Sequence, residues 1–301
     1  MINQLLGIKY PLLQGAMAWI SHSSLVAAVS NAGGLGVFAG GNLTKEQAKK
    51  EIKKIKAMTD KPFGVNIMLM NPCVEELSEL VIEEDIKIVI TGAGNPGKYM
   101  EKWKAAGVIV IPVVPSVALA RRMERLGADA VIAEGTEAGG HVGELTTMAL
   151  VPQVVDAVNI PVIAAGGIAD NRGYQAALCL GASGVQVGTA FLVADECDIP
   201  ESYKDRILSA GDTDSVVTGR ITGHPVRIVK NRFARQIREI EIGDLTTKEK
   251  LEQIEEVTKG SFRKAVEGGD MDQGSVMSGQ IAGLIKEKDS VENIIHKIIG
   301  E

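Results

Sequence analysis

The sequence predicts a (β/α)8 barrel, and three observations carry the prediction. Eight short runs rich in Val, Ile, Leu and Ala punctuate the first two thirds of the 301 residues. Most are apolar almost without interruption, as strands covered on both faces are. Segments of helical character separate them, and eight parallel strands joined by right-handed crossovers have one obvious closed arrangement.

In order, the runs are "YPLLQGAM", "GGLGVFAGG", "KPFGVNIM", "IKIVITGAG", "VIVIPVVPS", "ADAVIAEGT", "IPVIAAGG" and "SGVQVGTAF". Each stops in a small or polar cluster, with strand ends near residues 15, 40, 67, 91, 114, 135, 166 and 188. Between them, "TKEQAKKEIKKIKAM" opens on Thr44 as an N-cap with Glu46 in the first turn, and "SVALARRMERLGA" opens on Ser116 and stops at Gly127. An open, doubly wound sheet is the alternative, because "GAGNPG", Gly92 to Gly97, matches G-x-G-x-x-G after a strand. That fold needs Asp or Glu at the end of the next strand to hold a ribose, and "IPVVPS" has neither. A near-match, "GLGVFA", lies inside a strand. After about residue 195 the rhythm breaks, and residues 200 to 271 read as helical and strongly charged. The expected organisation is a barrel over 1–198, a helical subdomain over 199–271, and a final segment, 272–301, packing back on the barrel.

Composition narrows the function. Apolar residues make up 45%, charged residues 23% and aromatics 4%, so the core is built from aliphatic side chains. A net charge of −6 argues against nucleic acid as a partner, since a phosphate backbone needs a dominant basic surface. Cys73, Cys179 and Cys197 are widely separated and form no C-x-x-C, which predicts a reducing compartment, no disulfide framework and no metal site. No apolar run approaches the roughly 18 residues of a membrane span, and the N-terminus lacks a signal-peptide layout. A cytoplasmic protein without a membrane partner is expected.

Barrel active sites lie in the loops at the C-terminal ends of the strands. His141 falls in such a loop, "AEGTEAGGHVGELTT", loosened by Gly139, Gly140 and Gly143. It is the candidate acid, base or hydrogen-bond donor; capping a helix or facing solvent is the alternative. His22, His224 and His296 read as ordinary helix or connecting residues. The loops "AAGGIAD" and "VGTAF" offer Gly166, Gly167, Gly188 and Thr189 as phosphate donors, because glycine exposes backbone N–H groups ahead of a helix. Tight turning alone would explain one glycine pair better than two adjacent loops. Asn66 ends strand three, where a carboxamide suits the edge of a heterocycle or equally satisfies local backbone. Gly15 and Ala16 sit where a flat ring could approach the chain.

At these residues the sequence resembles the FMN-dependent enoyl-acyl carrier protein reductase family (enoyl-ACP reductase II), within the nitronate monooxygenase superfamily. The motifs are "GAMAW", "KPFGVNIML", "ITGAGNPGKYME", "IVIPVVPSVALA", "ADAVIAEGTEAGGHVGELTTMALVPQV", "IPVIAAGGIAD", "GVQVGT" and "QGSVMSGQIAGL", in order over most of the chain. The last departs from the family's "GGSVM" by Gln273. The resemblance implies FMN held through Gly166, Gly167, Gly188 and Thr189. Asn66, Glu134 and Gln186 would bind its ribityl chain or ring. Gly15, Ala16 and Met17 would lie beside the isoalloxazine, and Gly92, Gly139 and Gly140 complete the expected cofactor site. His141 matches the family's active-site histidine. The implied reaction is NADH- or NADPH-dependent reduction of the 2,3 double bond of enoyl thioesters in fatty acid biosynthesis, with a monovalent cation as a stimulant in some members.

The implied partner is enoyl-acyl carrier protein, which is acidic, or enoyl-CoA, and a homodimer is a further expectation. From Arg220 to Arg238 there are six Lys and Arg and no acid. Val226, Val229, Phe233 and Ile237 have helical spacing, leaving Arg232 and Arg235 for docking together with Met277; a solvated helix face is the bland alternative. Two other functions stay open: a nitronate monooxygenase, and a flavin-free aldolase or isomerase using the same phosphate loops. The latter usually needs a Schiff-base lysine or a carboxylate base, and the strand ends offer Glu134 and no lysine.

Overall fold

The computed structural model describes residues 1–41 and 43–301. The strands are β1 (Leu12–Gln14), β2 (Gly36–Ala39), β3 (Phe63–Met68), β4 (Ile88–Gly92), β5 (Ile109–Val114), β6 (Val131–Glu134), β7 (Gly140–His141), β8 (Val162–Ala165), β9 (Gly184–Val187), β10 (Ser215–Thr218) and β11 (Val226–Val229). Eight of them form one parallel sheet in the order β1-β9-β8-β6-β5-β4-β3-β2. Leu13 pairs with Leu35 across the remaining seam, through the Gln14 N–H to the Leu35 carbonyl and the Leu35 N–H to the Leu12 carbonyl, both 2.9 Å. The sheet therefore closes, and the chain folds as a (β/α)8 barrel.

Alternate residues of these strands point inward and pack on one another: Leu13, Val37, Ile88, Ile90, Ile111, Ile132 and Ile163. Ile2 and Leu6, from the short helix Ile2–Leu6, join that cluster and plug the N-terminal end of the barrel. The fit there is close, since a Cβ on Gly184 would lie 2.5 Å from the Ile2 side chain. At the opposite end, Asn66, Gly92, Glu134, Ala165 and Gln186 bring polar or small side chains to an open space. Helix starts follow the sequence signals. Thr44 accepts from the Gln47 N–H while Gln47 returns the bond, so Gln47 rather than Glu46 completes the capping box, and Ser116 accepts from Leu119.

The eighth outer helix does not follow β9 directly. The chain leaves the barrel at Ala194, which pairs with Asp289 as the chain returns, and the Asp195 N–H reaches the Asp289 carbonyl at 2.9 Å. Helix Val291–Ile299 then fills the gap between helices Asn171–Cys179 and Ser23–Asn31. Its end is tied down by Asn171 to the Ile298 carbonyl at 3.2 Å and by Tyr10 to Glu301 at 2.5 Å.

The excursion is not purely helical, contrary to the sequence-based expectation. Besides helices Glu201–Leu208, Arg232–Ile242, Thr247–Thr258 and Ser261–Val266, it contains β10 and β11, antiparallel to each other. β11 also pairs with β7 from the barrel loop, giving the order β10-β11-β7. Val226 and Val229 thus belong to a strand, and only Phe233 and Ile237 of the proposed stripe lie on a helix. Four-residue strands leave little pattern to read, and the pairing of β11 with β7 is remote in the chain.

Gly36 offers a direct test of barrel packing, because a Cβ there would lie 2.0 Å from the Val26 carbonyl oxygen in helix Ser23–Asn31. Gly36→Ala should lower stability by about 3 kcal/mol, read as a shift in the denaturant midpoint. An unchanged midpoint would mean that this helix does not seat on β2 as described.

Candidate functional site

A cavity of about 990 Å³ opens at the C-terminal end of the barrel. Its floor is made by strand tips. Asn66 from β3, Gly92 from β4, Glu134 from β6 and Gln186 from β9 all line it, because β-strand alternation turns these positions inward. Gly15, Ala16 and Met17 form one wall. That wall is held from beneath by Gln14, which is fully buried. The Gln14 amide donates to the Gly15 carbonyl and to the Ser21 hydroxyl, and its oxygen accepts from the Val37 N–H at 3.1 Å. Nothing in the local sequence marks Gln14 as more than a strand residue.

The opposite wall carries the two glycine loops. Gly166 and Gly167 have φ of +93° and +76°, left-handed values that favour glycine. Among the described residues, no acceptor meets the N–H groups of Gly166, Gly167 and Gly188. The Thr189 hydroxyl accepts from the Gly279 N–H at 3.0 Å, which leaves its own hydrogen to donate. All four residues line the cavity. The Thr147 hydroxyl bonds to the Gly166 carbonyl at 2.9 Å and to Glu137 at 3.0 Å, joining the loop after β6 to the loop after β8. This staple also lacks a sequence signature.

Glu134 is enclosed, and burial pushes its carboxyl pKa up to about 7. Burial alone shifts that carboxyl, with no protein hydrogen bond contributing, so a ligand N–H or hydroxyl fits there better than bulk apolar surface. The donor set matches a phosphorylated molecule with a polar heterocycle: unpaired amides on one side, and a carboxamide, a carboxyl and a second carboxamide across the floor.

His141 stands at the mouth, on β7, directly opposite Val226 of β11. Gly139 and Gly140 line the cavity beside it. The Val142 N–H bonds to the Pro225 carbonyl at 3.1 Å. Arg227, buried, donates to the Thr136 carbonyl at 2.9 Å and to the Ser215 hydroxyl at 2.7 Å, locking the loop to the three-stranded sheet. The surrounding walls lower the His141 pKa, and the nearby charge of His224 lowers it further. The ring is therefore neutral near pH 7 and offers one N–H and one lone pair. His224 shares the cavity, so sequence position undervalued it. His22 instead bonds to the Trp19 carbonyl, and His296 packs edge-on to Tyr10.

Met277 also lines the cavity, with its carbonyl held by the buried Tyr203 hydroxyl at 2.8 Å. Arg232 and Arg235 lie elsewhere, exposed on helix Arg232–Ile242 and outside the cavity wall. Arg227 belongs to the interior, so it is no part of an exposed basic face.

The raised Glu134 pKa has a definite pH consequence in ligand-free protein. The folded state holds a proton that the unfolded chain releases near pH 4.5, so stability falls as pH rises from about 4.5 to about 7. Glu134→Gln should remove this fall and be more stable than wild type above pH 7 by at most about 3 kcal/mol. Parallel pH profiles of unfolding would refute the assignment.

The nitronate monooxygenase family profile matches residues 1–81 and 74–301, spanning the chain. The "(3aS,4S,5R,7aS)-5-hydroxy-7a-methyl-1-oxo-octahydro-1H-indene-4-carboxyl-CoA dehydrogenase" of Mycobacterium tuberculosis is 34% identical over 99% of this chain and 94% of its own. A probable nitronate monooxygenase of Staphylococcus saprophyticus is 35% identical over 98% of this chain and 96% of its own. Among solved structures, FabK from Thermotoga maritima superposes with a TM-score of 0.95 at 50% identity, covering 99% of this chain and 94% of that one. Oxidoreductases thus surround the chain in sequence and in structure, and it belongs to the nitronate monooxygenase family.

Proposed function

We propose that this oxidoreductase is an FMN-dependent enoyl thioester reductase of the acyl carrier protein class, using NADH or NADPH. The observation that carries the proposal is the placement of one neutral histidine, His141, over a cavity whose far wall presents unpaired glycine amides. The 50% identity to FabK, an enoyl-acyl carrier protein reductase II, supports this specificity, and the M. tuberculosis relative has a carboxyl-CoA in its name.

The residues fit FMN. Gly166, Gly167 and Gly188 would donate backbone N–H groups to its phosphate, joined by the Thr189 hydroxyl. Glu134, Asn66 and Gln186 would meet ribityl hydroxyls and the polar ring edge, with Gly15, Ala16 and Met17 along the ring. FMN supplies the redox chemistry that no side chain here can perform. The protein's own contribution is positional and electrostatic. As the β-carbon of an enoyl thioester is reduced, negative charge grows on the thioester oxygen. The His141 N–H placed there gains strength as that charge develops, and the ring can relay the proton required at the α-carbon by taking one from water at its free nitrogen as it gives up the other. A neutral ring binds the uncharged ground state weakly, so its contribution concentrates in the transition state.

A second reading, oxidation of nitronates, is favoured by the S. saprophyticus relative's name. Anaerobic oxidation of NADH or NADPH with crotonyl thioester separates the two. Thioester-dependent turnover without oxygen is expected, whereas turnover only with oxygen or a nitronate would move the chain to the other reaction. His141→Ala should lower enoyl turnover by about 100-fold or more while FMN content is retained. Equal loss of both would make the histidine structural.

We also infer that an acidic carrier protein docks on the exposed cations Arg232 and Arg235, beside Lys230 and Arg238. Reversing Arg232 and Arg235 to Glu should raise KM for carrier-linked substrates at low salt and spare short thioesters. Equal effects on both substrate types would end this assignment.

A further inference from the structure

Beside the main cavity lies a second cleft of about 520 Å³, between β11 and the helices of the excursion. It shares His141, His224, Phe262 and Met277 with the main cavity, so a molecule reacting at His141 can extend into it without leaving the site. We propose that this cleft receives the unbranched apolar chain of the thioester substrate; the proposal rests on the enoyl reductase function given above.

The wall chemistry selects that occupant. Val226, Phe233, Ile237, Leu251 and Ile254 supply aliphatic and aromatic surface, on strand β11 and helices Arg232–Ile242 and Thr247–Thr258. The threonines that interrupt this surface are turned to the backbone. Thr258 donates to the Ile254 carbonyl at 2.7 Å, Thr222 to the Gly219 carbonyl at 2.7 Å, and Thr218 to the Val226 carbonyl at 3.4 Å. Their hydroxyl hydrogens are thus engaged, and the cleft gains little polarity from them. Its lining includes no lysine or arginine, while Glu255 contributes a carboxyl. A phosphate-bearing arm would meet the Glu255 carboxyl and no lysine or arginine; a hydrocarbon chain meets mainly apolar surface, with the exposed Glu255 free to stay in water and Ser261 and Ser275 as the few other polar groups outside the junction.

The cleft also accounts for the position of Met277. That side chain stands at the junction of the two spaces, packed against the Phe233, Ile237 and Ile254 cluster, on a segment bridged to Ile228. Methionine is flexible enough to pass chains of different length across such a junction. His224, exposed on the loop before β11, borders the same junction.

The test measures kcat/KM for trans-2-enoyl thioesters of four, six, eight and ten carbons on the FMN-loaded protein and on Leu251→Trp. Leu251 is 37% exposed at the cleft, so the larger ring can enter it without rebuilding the core. In the wild type, kcat/KM should rise by roughly fourfold for each added methylene that enters the cleft. Leu251→Trp should lower the ten-carbon to four-carbon ratio at least tenfold. A flat wild-type profile with crotonyl turnover intact, or an unchanged ratio in Leu251→Trp, would overturn the cleft assignment and leave the reductase standing. A KM increase for NADH or NADPH in Leu251→Trp, with the ratio unchanged, would place the nucleotide there instead and equally overturn it. Failure to reduce any thioester, crotonyl included, would remove the reductase function and the cleft's role with it.

Discussion

Gly139 and Gly279 meet where no side chain can fit. A Cβ on Gly139 would lie 2.7 Å from the Ser278 carbonyl carbon, and one on Gly279 would lie 2.8 Å from the Glu137 carbonyl oxygen. The close approach lets the Gln280 N–H reach the Glu137 carbonyl at 2.9 Å and the Gly279 N–H reach Thr189 at 3.0 Å. Three remote segments are thereby joined: the loop carrying His141, the loop after β9, and the strand-like stretch carrying Met277. The wall of the cavity exists because these backbones touch, and side-chain bulk at either glycine would push them apart.

The charges around that junction follow one pattern. Burial raises the Glu134 pKa to about 7, so its carboxyl is part-protonated near neutrality, and desolvation by the surrounding walls lowers that of His141. Arg227, the buried cation nearby, has its guanidinium held by a carbonyl and a hydroxyl, and burial lowers its pKa as well. Arg227 keeps its charge but does not line the cavity, whose wall presents many backbone and side-chain dipoles. For the reductase reaction proposed above, such an environment would stabilise a developing oxyanion by oriented hydrogen bonds while making little demand on an uncharged thioester. The exposed cations of helix Arg232–Ile242 lie outside that cavity wall.

Much of this was legible in the sequence, for a physical reason. Strands covered on both faces must be apolar throughout, so the runs from "YPLLQGAM" to "SGVQVGTAF" announced themselves, and their ends fell close to the observed tips. Loops that approach a ligand with backbone need glycine, which exposed residues 15, 92, 139, 140, 166, 167 and 188 to view; all line the cavity. What escaped depends on contacts made across long stretches of chain. Gln14 and Thr147 act as supports through bonds that reach Val37 on the next strand and Gly166 on the next barrel loop. Arg227 looked like one cation of an exposed set, yet β11 pairing buries it. His224 acquires meaning only once Val226 is placed opposite His141.

The pairing of β7 with β11 divides inheritance within the molecule. The floor and the phosphate-type loops belong to the barrel, whereas the aim of His141 is set by the excursion that leaves at Ala194 and returns at Asp289. Because side chains alternate along a strand, sliding β11 by one residue would turn its whole inward face outward. Drift in the excursion can therefore re-aim the histidine and reshape the cleft while the barrel retains whatever it binds. Relatives named as dehydrogenase and monooxygenase on one shared scaffold are the outcome such an arrangement allows: a fixed redox platform beneath an exchangeable roof.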